Sequence, residues 1–111
     1  SLIRDDQFGP VLAFGLGGIY VEIMGEISRS LIPMSDDEMD KMITSTKAYR
    51  MLSGARGRPP ADIDSLKEAM RRLMRIAKEN PEIYELEINP LMVGKKNEGS
   101  WAVDALTTIR W

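Results

Sequence analysis

Two helical patterns sit in the middle of this chain, with strand-like segments on both sides. That order restricts the fold more than any other feature. Ser35-Asp36-Asp37-Glu38 matches a capping box, a serine N-cap followed three residues on by a glutamate. Met39, Met42, Ile43, Thr46, Tyr49 and Leu52 then recur at steps of three and four, which predicts an amphipathic helix over residues 36–52. Ser53-Gly54 ends it, with glycine available for a left-handed cap. After the loop from Ala55 to Ala61, Asp62 or Asp64 can cap a second helix whose stripe is Leu66, Ala69, Met70, Leu73, Ile76 and Ala77. Glu68 and Arg72 pair at i,i+4 on its exposed side. Asn80-Pro81 stops it, because the residue before a proline avoids the α region.

Before the helices, Val11–Phe14, Ile19–Met24 and Ile27–Pro33 read as strands. After them come Glu82–Val93 and Trp101–Leu106, joined by the polar turn Gly94–Ser100. The order β-β-β-α-α-β-β points to an α+β fold, a mostly antiparallel sheet with two helices on one face. The 111 residues make one small domain, 1–111, with no repeat or linker inside it.

Composition enters as a set of exclusions. A net charge of −2 argues against general nucleic-acid binding, which needs a basic excess. No run of 18 apolar residues is present, so no membrane span is expected. The opening SLIRDDQFGP shows no secretory signal, and the absence of cysteine fits a cytoplasmic protein. Histidine is absent too, which removes a Ser-His-Asp triad, a histidine base and a His-rich zinc site. What remains is chemistry by carboxylates, amides, Arg or Lys, backbone amides, or a hard metal held by oxygen. The eight methionines are expected to fill the core.

The stretch ELEINPLMV raises the question of chemistry. Setting Val93 opposite Ser100 places Asn89 against Asp104 and Glu87 against Leu106. Side chains alternate with period two, so Glu87, Asn89 and Asp104 then share one face. Directly opposed residues have Cβ atoms roughly 4.5–5.5 Å apart. Such an oxygen pocket suits Mg²⁺ shared with phosphates and water. The same residues also read as solvated acids on an edge strand, and a slip of one residue would part Asp104 from Asn89. The Gly15-Leu16-Gly17-Gly18 stretch can offer backbone N–H groups to a phosphate or simply make a tight turn. It is neither a P-loop nor a dinucleotide fingerprint. Arg29, Arg56 and Arg58 have the guanidinium fork that matches phosphate, a residue type that equally serves solubility.

Taken in order, FGPVLAFGLGGIYVE, SRSLIPMSDDEMDKMI, GARGRPPAD, PEIYELEINPLMV and AVDA resemble the ATP-grasp domain of NDP-forming acyl-CoA synthetases. The likeness is greatest to the β subunits of the ADP-forming acetyl-CoA synthetases, and it runs from about Asp6 to Ile109. It implies the C-terminal lobe of an ATP-grasp fold and the reaction acyl-CoA + ADP + phosphate = acid + CoA + ATP. By resemblance, Asn89 and Asp104 are Mg²⁺ ligands and Glu87 stands beside the transferring phosphate. Arg29 contacts phosphate, and Gly17 and Gly18 lie in a glycine loop that binds ATP or ADP. The implied partners are a CoA-binding α subunit or domain carrying a phosphohistidine, and an N-terminal ATP-grasp lobe lying before Ser1, so that residues 1–111 are a fragment of a larger subunit. Two other readings are a non-catalytic regulatory domain like those fused to protein acetyltransferases, and a subunit-docking module using Trp101 or Trp111.

Overall fold

A computed structural model describes residues 1–15, 27–46, 48–54, 57 and 59–110. In chain order the elements are β1 Leu2–Asp5, β2 Gly9–Gly15, β3 Ile27–Leu31, α1 Asp36–Thr44, α2 Ala48–Leu52, α3 Ile63–Glu79, β4 Ile83–Ile88, β5 Leu91–Val93, β6 Ser100–Ala102 and β7 Ala105–Ile109. Five strands form one sheet in the order β3-β2-β1-β4-β7, and β5 pairs with β6 in a second, two-stranded sheet. Every strand pairing among the described residues is antiparallel. The expected α+β architecture is therefore what the chain adopts.

The sheet has two unlike faces. Leu2 stands opposite Leu12 on β2 and Leu86 on β4, so the three leucines line one row on one side. Leu2 and Leu12 are fully buried. Leu12 packs with Met39, Met42, Ile43, Leu66, Met70 and Leu73 from the helices, and Phe14, Leu86 and Ile88 lie against that cluster. Met34, Met39, Met42 and Met70 are all in the core, as expected of flexible thioethers filling gaps between helices and sheet. The opposite face carries Ile3, Val11, Ala13, Arg29, Leu31, Glu85, Glu87 and Leu106, and no helix of the described residues covers it.

Local chemistry accounts for the helix ends. Glu38 N–H donates to Ser35 Oγ, and Ser35 N–H reaches back to the Glu38 carboxylate, closing the capping box. Asp62, not Asp64, caps α3, its Oδ1 accepting from Ser65 N–H at 3.1 Å. At the far end of α3, the Arg4 guanidinium donates to the carbonyls of Ala77 and, on β4, Ile83 at 3.0 and 3.1 Å, satisfying a carbonyl of the last helical turn with a cation. Glu68 pairs with Arg72 as the i,i+4 spacing implied.

Three expectations need correction. β1 is absent from the sequence reading, because a four-residue run gives periodicity too little to work on. The helix expected over 36–52 is two helices. Thr44, Ser45 and Thr46 each turn a hydroxyl back onto a carbonyl, of Asp40, Met42 and Ile43, and this local bonding competes with helix continuation. The single strand expected over 82–93 is also two, parted at Asn89-Pro90, where proline has no N–H to give the ladder. The strand expected over Ile19–Met24 lies outside the described residues.

Two ion pairs clip α1 to α3, Asp36–Arg71 and Asp40–Lys67, both at 2.9 Å. The hydrogen bond from Arg71, then its charge, holds the Asp36 carboxyl below its ordinary value of 3.8. A carboxylate depressed on folding stabilises above its unfolded pKa, and that contribution fades as pH falls through the folded value. Asp36→Asn should therefore lower the melting temperature at neutral pH, with the difference from the parent closing in acid well below pH 3.8.

Core and open face also predict different tolerances. Leu12→Ala should cost about 2–5 kcal/mol of stability in denaturant titrations. Leu31→Ala, on the open face, should cost less than about 1 kcal/mol.

Candidate functional site

The open face carries Arg29 and Glu87, and its last ribbon leads to Asn89 and Asp104. In the last ribbon Val93 pairs with Ser100, Leu91 with Ala102, Ile88 with Ala105 and Glu87 with Leu106. This is the register assumed from sequence. At the gap between β4 and β5, Asn89 N–H donates to the Asp104 carbonyl and Val103 N–H to the Pro90 carbonyl, both at 3.1 Å. The ladder thus continues through the bend, and Asn89 stands opposite Asp104. Both residues are exposed. One Asp104 oxygen accepts from Ala105 N–H at 2.9 Å, which holds the carboxylate at the bend.

Glu87 is half-buried one pleat back from Asn89. Across the sheet it continues a row of same-face residues. Arg29 stands opposite Ala13 on β2. Ala13 exchanges two hydrogen bonds of 2.8 Å with Ser1. The β1–β4 register then carries Ser1 to Glu87. Arg29, exposed on edge strand β3, and Glu87 are thus three strand spacings apart, about 14 Å, with only Ala13 and Ser1 between them. A small floor flanked by a cation and a carboxylate, with an oxygen pair at one end, can receive an extended polyanion with its metal.

The donor set fits a hard cation. Asn89 offers an amide oxygen and Asp104 a carboxylate oxygen, the ligand types Mg²⁺ accepts. No group of three or more Asp, Glu, His or Cys is gathered to hold a metal among the described residues. The pair therefore suits an ion that takes its remaining ligands from phosphate and water, and it does not make an all-protein cage.

Gly17 and Gly18 lie outside the described residues, as do Arg56, Arg58 and Trp111. Two features were not foreseen. An open concavity of about 490 Å³ adjoins Arg29 on the side away from Asn89, lined by Ile3, Asp5, Val11 and Tyr84 among others. At its edge Arg110 stacks on Tyr84, 3.6 Å from the ring centroid. The other is Asp62, whose second oxygen accepts from Gly99 N–H at 2.8 Å in the turn between β5 and β6. A lone aspartate before a helix signals a cap, and nothing in its sequence context signals this second bond.

Comparison with known proteins gives a consistent picture. The ATP-grasp domain family matches residues 1–109. The β subunit of acetate–CoA ligase (ADP-forming) I from Pyrococcus furiosus is 42% identical over 105 residues, covering 95% of this chain and 44% of that protein. The 4-hydroxybutyrate–CoA ligase (ADP-forming) from Nitrosopumilus maritimus is 42% identical over 97 residues, covering 87% of this chain and 14% of that protein. The dinucleotide-forming acetyl-coenzyme A synthetase 1 of Ca. Korarchaeum cryptofilum, solved with coenzyme A and Mg-AMPPCP, superposes with a TM-score of 0.90 at 43% identity over 98% of this chain and 50% of that one. The chain thus spans half or less of the length of each of these relatives.

Proposed function

The chain belongs to the ATP-grasp domain family, and on that premise we propose that residues 1–111 are the C-terminal lobe of the nucleotide- and Mg²⁺-binding part of an ADP-forming acyl-CoA ligase. The reaction is acyl-CoA + ADP + phosphate = acid + CoA + ATP. One observation carries the reading: Asn89 stands opposite Asp104 at a bend of the ribbon, beside Glu87 on the open face. The Korarchaeum relative supports it, having been solved with a Mg-nucleotide analogue and a phosphohistidine segment pointing towards the nucleotide site.

Bound Mg²⁺ supplies neutralisation of phosphate charge during transfer. The Asn89 amide oxygen and the Asp104 carboxylate would hold that ion. Arg29 would bind phosphate oxygens and offset the remaining charge, a task that the family resemblance also assigns to Gly17 and Gly18. Glu87, an acceptor of N–H groups, orients the imidazole that carries the phosphoryl group. This chain has no histidine, so that imidazole comes from a CoA-binding α subunit or domain. The adenine side belongs to an N-terminal lobe. Relatives equally similar to this lobe act on acetate and on 4-hydroxybutyrate, so acyl choice lies elsewhere in the enzyme. No helix of the described residues is long and apolar enough to cross a membrane, and the lack of cysteine supports a cytoplasmic setting.

A docking role for the same lobe is supported by a separate observation. Trp101 is 54% exposed opposite Met92, itself 46% exposed, and Val103 beside them is 59% exposed. An apolar cluster of that kind on a soluble domain fits a covered surface, and the Pyrococcus relative is one subunit of a split enzyme.

In the full-length subunit, Asn89→Ala and Asp104→Ala should each lower Mg²⁺-dependent phosphoryl transfer by about tenfold or more, read as a raised Mg²⁺ requirement. Transfer that survives both changes would remove the metal assignment. The 111-residue chain alone should give no turnover at saturating ATP, CoA and acid. Full turnover with micromolar ATP affinity would sink the fragment reading.

A further inference from the structure

Asp62 is a buried carboxylate that the proposed chemistry does not use. Both of its oxygens are engaged: Oδ1 accepts from Ser65 N–H at 3.1 Å, capping α3, and Oδ2 accepts from Gly99 N–H at 2.8 Å. The backbone around it joins the same contact. Asp62 N–H donates to the Gly94 carbonyl and Lys96 N–H to the Pro60 carbonyl, at 2.8 and 2.9 Å, and Ala61 bridges to Lys95. The tip of the β5–β6 hairpin is thereby fastened to the start of α3.

The fastening bears on the candidate site through the bend. Between β4 and β5, and again between β6 and β7, the ribbon is interrupted at Asn89-Pro90 and Val103-Asp104, directly across from each other. Beyond the bend, β5 and β6 form a separate two-stranded sheet. A two-stranded hairpin is marginal by itself, so its direction depends on what holds it. Leu91 and Val93 rest on the core at one end, and Asp62 holds the tip at the other. Turning the hairpin about the bend turns Asn89 and Asp104, which sit in the bend.

From this geometry we infer that Asp62 is a positioning residue: by clamping Gly99 it sets the angle of the β5–β6 hairpin, and so the separation of the Asn89 and Asp104 oxygens. The inference rests on the reading of those two residues as Mg²⁺ ligands. It concerns no contact between Asp62 and the ion. Its chemical content is that one carboxylate serves two N–H groups that no single-oxygen side chain can serve together.

Asp62→Ser separates the two tasks, since serine caps a helix about as well as aspartate but has one oxygen. In the full-length subunit its melting temperature should stay close to the parent's. Hydrogen exchange at the Gly99 amide should accelerate. The Mg²⁺ concentration for half-maximal ADP binding, by titration calorimetry, should rise about tenfold, the lower end for loss of outer-shell support. Asn89→Ala is the reference for a lost ligand. Should Asp62→Ser fail to fold, Asp62→Asn, which also has one acceptor for two donors, takes its place. Faster Gly99 exchange with an unchanged Mg²⁺ requirement would overturn the positioning role, as would unchanged Gly99 exchange. An unchanged Mg²⁺ requirement in Asn89→Ala as well would instead bring down the metal reading, and this inference with it.

Discussion

The register of the last ribbon is the constraint on which the rest depends. Glu87 lies against Leu106 and Ile88 against Ala105. The alternation sends Leu86 and Ile88 towards the helices and Glu85 and Glu87 towards the open face. A slip of one residue would turn the two carboxylates into the apolar core and expose the leucine. Burying an unpaired carboxylate costs far more than the hydrophobic contacts of one side chain return. The apolar core and the charged face therefore enforce the same register from opposite sides.

That register also explains why one sheet can serve two ends. The leucine row across β2, β1 and β4 binds the helices, and the row immediately beside it runs from Arg29 to Glu87. Core packing and open-face charge are thus allotted to alternate residues of the same strands. The bend at Asn89-Pro90 interrupts this allotment at one level only. There the backbone bonds to Asp104 and Val103 keep the strands in step while the ribbon changes direction. Ligand-type residues occur at the point where the ladder is weakest, and the Asp62–Gly99 contact holds the far side of that point.

Much of this was legible along the chain. The capping box, the Asn80-Pro81 stop and the methionine stripes all follow from interactions between residues close in sequence. The failures share a cause. Leu2–Asp5 forms a strand because Leu2 finds Leu12 and Leu86 on either side, and nothing within four residues announces those partners. The 36–52 pattern has the apolar spacing of one helix, yet three consecutive hydroxyls bond the backbone at residues 44–46 and break it. Arg4 bonds the last turn of α3 from 73 residues away, a contact that nothing in its local sequence announces.

The sequence by itself determined the residue types of the candidate site and their spacing within each strand, which follows from period-two geometry. It allowed the pairing of Asn89 with Asp104, and burial of Leu86 and Ile88 against the core selected that register. Only the tertiary structure decided that Arg29 shares a face and a row with Glu87, because that relation passes through β1 and β2, whose pairing depends on long-range burial of leucines. It alone decided the second role of Asp62 as well. A carboxylate has two acceptor oxygens, and where the second one goes is settled by what the fold brings next to it.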